Sequence, residues 1–101
     1  MRVPKPGMAR LAEKNLASVQ AEIAHEKAAS LGRAGTKLRE AMERLEAGEG
    51  ERAALVAAAG QALWYYVVQR EACGLRDTES VLREFRVSRE VYLRMGMAPR
   101  P

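Results

Sequence analysis

The stretch "QREACGLRD", residues 69–77, gathers the side chains of this sequence best suited to chemistry. It holds Arg70 and Arg76, Glu71 and Asp77, an amide at Gln69 and the only cysteine, Cys73. Two cations, two carboxylates and an amide could line a pocket for a small ligand or support an enzyme around Arg70 and Asp77. The same groups serve equally well as structure. The run "WYYVV" ends just before them, and a charge buried there without a partner would cost several kcal/mol. Asp77 is available to Arg70, and Arg76 or Arg33 to Glu71. The sequence favours a polar network that locks a turn onto the core, with the ligand site as the alternative.

The other reactive side chains are isolated. Cys73 falls at the end of an expected helix, where the negative end of the dipole opposes a thiolate. His25 points away from the apolar stripe of its helix and reads as a solvated surface histidine. One histidine and one cysteine do not make a typical zinc site. Glu22 and Glu26 stand four apart, a spacing commonplace on helices. No glycine loop of the phosphate-cradling kind is present and no motif asks for a cofactor.

The elements that position these groups are helical. Alanine supplies eighteen residues, aromatics are 5% and isoleucine occurs once. Strong helix formers dominate and β-branched residues do not alternate, so the chain is expected to be all-α: a long N-terminal helix, a buried central helix and two short C-terminal helices. At 101 residues it is one domain by length. Residues 1–8 are expected to be a disordered tail, 9–97 the helical domain and 98–101 a second tail.

Leu16, Val19, Ile23, Leu31, Ala34, Leu38, Ala41 and Leu45 fall on one stripe at ~100° per residue. That phase predicts one long helix, with a break at Gly32 and Gly35 as the alternative. About 35 residues at 1.5 Å each span ~50 Å, whereas a compact domain of this length is ~35 Å across. Such a helix would overhang its own domain, and a second copy of the chain is the simplest cover.

The glycines at 48 and 50 stop that helix. A central helix is expected over about 51–72, apolar all round and therefore buried, with "WYYVV" as core. Gly74 fits a left-handed C-cap with Leu75 making the hydrophobic contact that accompanies it. Asp77 or Thr78 caps the next helix and Ser88 the last, which Gly96 ends. Trp64, Tyr65, Val68, Leu31 and Leu38 are the candidates for an oligomer interface.

The net charge of +4 collects at the ends: Arg2, Lys5 and Arg10 without an acid, and six arginines against four acids over 76–101. Residues 78–95 faintly echo a helix-turn-helix, which would make Arg86, Arg89 and Arg94 DNA contacts. Leu82 stands where a small residue is usual, Arg86 replaces the turn glycine, and the second helix is barely two turns long. A lone cysteine suits a reducing compartment, and neither a membrane span nor a signal peptide is evident, so a cytoplasmic location is expected.

The order "WYYVVQREACGLRD", then Val81-Leu82-Arg83, then "VSREVYLRMG" resembles a small bacterial family of helical proteins of unknown function. The resemblance spans roughly residues 17–97 and is most specific over 69–77. It implies an all-α fold and brings no activity, cofactor or substrate. The sequence thus points to a homodimeric structural or interaction protein rather than a catalyst, with a small DNA-binding regulator as the alternative.

Overall fold

The structure, a computed structural model, describes residues 6–96. It contains four helices: α1 (Pro6–Ala47), α2 (Arg52–Ala72), α3 (Thr78–Glu84) and α4 (Arg89–Arg94). The fold is all-α. Residues 1–5 and 97–101, most of the two expected tails, lie outside the described residues. Helix α1 begins at Pro6, earlier than the expected start of the domain, at a position where a missing backbone N–H costs nothing.

Helix α1 runs unbroken through Gly32 and Gly35 for 42 residues. The two glycines have different surroundings. A Cβ on Gly32 would meet nothing within 4 Å, while one on Gly35 would stand 3.2 Å from Tyr66 Cε1. Gly35 is therefore the place where α1 lets the Tyr66 ring of α2 approach its backbone, and no bend is needed.

The first three helices end by a local mechanism. At the end of α1 the Glu49 N–H donates to Arg44 O at 3.1 Å and the Gly48 N–H to Leu45 O at 3.2 Å, with Gly48 at φ 67°. At the end of α2 the Leu75 N–H reaches Arg70 O and the Gly74 N–H reaches Glu71 O, both at 2.9 Å, with Gly74 at φ 81°. Both are Schellman turns, in which glycine takes the left-handed position. The same hydrogen bonds close α3, from Val87 N–H to Leu82 O and Arg86 N–H to Arg83 O. There the left-handed residue is Arg86, at φ 51°, which carries a Cβ and so stores strain. Asp77 Oδ1 accepts from Ser80 N–H at the start of α3, and Ser88 Oγ from Val91 N–H at the start of α4.

The core is small: Ala34 and Leu38 from α1, Val56, Ala59, Leu63 and Tyr66 from α2, Val81 from α3 and Val91 from α4. Phe85 meets Tyr66 edge-on, ring centroids 5.3 Å apart. Helix α2 is the hub, packing on α1 along one side and α4 along another. Gly60 sets the second contact. A Cβ there would lie 2.8 Å from Arg94 Cβ and 3.0 Å from the Arg94 carbonyl, so the α2 backbone touches the end of α4 directly.

Two expectations need correction. The run "WYYVV" is not core throughout: Tyr66 is buried and Val67 half-buried, but Trp64 is 47%, Tyr65 42% and Val68 36% exposed. The helices of the described residues are too few to surround α2. Leu38, a candidate interface residue, is fully buried inside the chain and Leu31 packs against its core, because α2 covers that part of α1.

The two glycines in contrasting settings make a paired prediction. Gly32→Ala should stabilise the fold by about 0.5–1 kcal/mol, since it adds helix propensity in open space. Gly60→Ala should destabilise it by about 1–3 kcal/mol, because α4 backbone must move. Urea unfolding of both variants followed by circular dichroism checks the opposite signs.

Candidate interaction surfaces

Residues 69–77 form the end of α2, its Schellman turn and the cap of α3. Gln69 and Arg70 are half-buried; Glu71, Arg76 and Asp77 are exposed. Ser30 Oγ on α1 donates to Gln69 Oε1 at 2.9 Å, which pins the end of α2 to α1. The Arg70 guanidinium stands 6.0 Å from the Tyr66 ring centroid and donates to the backbone oxygen of Asp77 at 3.5 Å. The Asp77 carboxylate is occupied with the α3 N-cap.

The turn is thus held by a side-chain amide, a cation over a ring and a cap, rather than by buried ion pairs. Among the described residues no charged side chain is buried, so the expectation of a charge that must be paired inside the core is corrected. The reason is geometric: with nothing packed over the end of α2, its charges reach water. The ion pair that the structure does form was not foreseen. Arg52 at the start of α2 meets Glu90 on α4 at 2.7 Å, both largely exposed. Exposed pairs of this kind contribute about 0–1 kcal/mol, so this one orients α4 more than it stabilises.

Cys73 is the C-cap of α2, with Sγ 3.9 Å from Lys27 O on α1. His25, Glu22 and Glu26 are exposed on α1. Among the described residues no group of three or more His, Cys, Asp or Glu is placed to hold a metal ion. No helix there is long and apolar enough to cross a membrane.

The three arginines of the helix-turn-helix alternative do not share a face. Arg86 sits in the left-handed turn, Arg89 opens α4 on its solvent side, and Arg94 lies half-buried with its backbone against Gly60. A helix of six residues that spends Val91 and Arg94 on α2 has little left to lay in a groove.

Two features of the surface are apolar. On α1, Leu16 is 59% exposed and Val19 and Ile23 are each 50% exposed. Every residue from 9 to 29 is exposed. Helix α2 ends level with Lys27, with Ala24 at the edge of the same contact, so among the described residues nothing packs over the roughly 20 residues, ~30 Å, of α1 before it. The second feature is on α2: a groove of about 350 Å³ lined by Lys37, Ala58, Gln61, Ala62, Trp64 and Tyr65. Monomeric proteins seldom leave contiguous apolar surface of this kind open unless something binds there.

The geometry of the turn makes its own prediction. Arg70→Ala removes a peripheral cation and should cost no more than about 1 kcal/mol. Asp77→Ala removes the α3 cap and should cost about 1 kcal/mol. Denaturant melts in which Arg70→Ala lost several kcal/mol would show that Arg70 balances a buried charge after all.

The sequence model of a family of unknown function (DUF6665) matches residues 7–101. No curated protein and no solved structure matches the chain. With nearly the whole chain covered, including the capped turn at 69–77 and both apolar surfaces, the protein belongs to this family of unknown function.

Proposed function

We propose that the chain is a non-catalytic helical protein whose role is to associate, first of all with a second copy of itself. The overhang of α1 carries this proposal. Leu16, Val19 and Ile23 lie on the same stripe as Leu31, Ala34, Leu38, Ala41 and Leu45. The second half of the stripe is covered by α2, while the first half has the same character and no cover. Leaving three large aliphatic side chains half in water forgoes about 1 kcal/mol each relative to burial. The dimensions agree with an incomplete unit. The radius of gyration is 20.0 Å and the longest extent 66 Å, against the ~13 Å expected of a compact domain of this length.

Sedimentation equilibrium at micromolar concentration tests the proposal. The expected mass is at least twice the 11.2 kDa of the chain. Leu16→Lys combined with Ile23→Lys should weaken association at least roughly tenfold, the equivalent of ~1.4 kcal/mol. A mass of one chain at every concentration would overturn the proposal.

A further inference from the structure

Helix α2 carries a second surface with an ordered pattern. Ala54, Ala58, Gln61, Tyr65, Val68 and Ala72 recur at alternating intervals of four and three, and all six are exposed. That is the a/d spacing of a helix–helix seam, kept for the whole length of α2. No charged residue occurs between Arg52 and Arg70. The face lies between α1, which contributes Lys37 to the groove, and the end of α4, where Gly96 abuts Trp64.

We infer that this seam takes α2 of a second copy, running antiparallel about a two-fold axis near Leu63. The inference rests on the proposed self-association and assigns it a surface separate from the α1 overhang. Size complementarity along the seam selects the occupant. Its N-terminal half is small, with Ala54 and Ala58, and its C-terminal half is bulky, with Tyr65 and Val68. An antiparallel copy sets Val68 of each chain over Ala58 of the other, at the groove. It sets Tyr65 beside Gln61, so that hydroxyl and amide can hydrogen-bond, and Ala54 against Ala72. A parallel copy would set bulky on bulky and small on small, leaving a gap at the alanines. Lys37 borders the groove from α1, but α2 itself offers a charged partner no counter-charge between Arg52 and Arg70, and an identical face brings none. Antiparallel helices also place the positive end of each helix dipole beside the negative end of the other.

Directed cross-linking tests the seam in the full chain. Cys73→Ser removes the native thiol, and two variants on that background carry Ala58→Cys or Val68→Cys. Both positions are exposed, and circular dichroism should show unchanged helix content. In the antiparallel seam residue 58 faces residue 68 of the other copy. Two residues 58 then lie ten positions apart, ~15 Å, beyond the ~7 Å reach of a disulfide. With oxidised glutathione, each variant alone should give no covalent pair. The two mixed should cross-link roughly half of the chains, the statistical share of mixed pairs under two-fold symmetry. A mixture of Gln61→Cys with Tyr65→Cys should cross-link as well; only the mixture is diagnostic in that layer, because two residues 61 would lie four positions apart, ~6 Å. Covalent pairs from Ala58→Cys alone or from Val68→Cys alone would make the seam parallel and overturn the inference. No covalent pair from either mixture, at an equilibrium mass of two chains or more, would overturn the seam and leave self-association standing. A mass of one chain would remove both.

Discussion

Helix α1 has 42 residues and helix α2, which packs along it, has 21. The rest of the structure depends on that mismatch. An α-helix is rigid over this distance, and its apolar stripe gains stability only where something lies against it. Helix α2 starts beside the end of α1, runs back along it and stops level with Lys27. Of the two short helices that follow, α4 packs along α2, and together they complete the core with Val81 and Val91. Nothing remains in the described chain to reach the first half of α1.

The stop at the end of α2 is built firmly. Gly74 in its left-handed conformation, the two reverse hydrogen bonds of the Schellman turn and the Asp77 cap redirect the chain within a few residues. The hydrogen bond from Ser30 to Gln69 fixes the end of α2 against α1 just before the stop. The polar residues of 69–77 therefore determine where coverage of α1 ends, which ties them to the exposed surface more closely than to any chemistry of their own. Gly60 and Gly35 act in the same way at the other contacts, letting α4 and the Tyr66 ring come close to a helix backbone.

Much of this was legible in the sequence. The 3.6-residue stripe, the glycine stops and the Asp77 and Ser88 caps are local features, and local features are written in adjacent residues. The continuity of α1 through Gly32 and Gly35 followed from the unbroken phase of the stripe. What was not legible depends on which helix lies beside which. Gly60 sits among alanines without a signal of its own, and its role needs the end of α4 to be in place. The Arg52–Glu90 pair spans 38 positions and has no local pattern. The fate of "WYYVV" went astray for a related reason. An all-round apolar helix signals burial, but the sequence does not say whether the same chain or another one supplies the cover. Arg70 and Glu71 were expected to be buried on the strength of that cover, and in the structure Arg70 is half-buried and Glu71 exposed.

The central claim is that α1 is complete only in company, and amide hydrogen exchange along α1 tests it most directly. An isolated helix arm frays and exchanges quickly, while a packed one is protected up to the stability of the assembly. The account predicts that amides of residues 12–26 are protected at high protein concentration nearly as well as those of 31–45, and lose that protection on dilution while 31–45 keep theirs. Fast exchange over 12–26 at every concentration, beside a protected second half, would contradict it and leave α1 an arm without a partner.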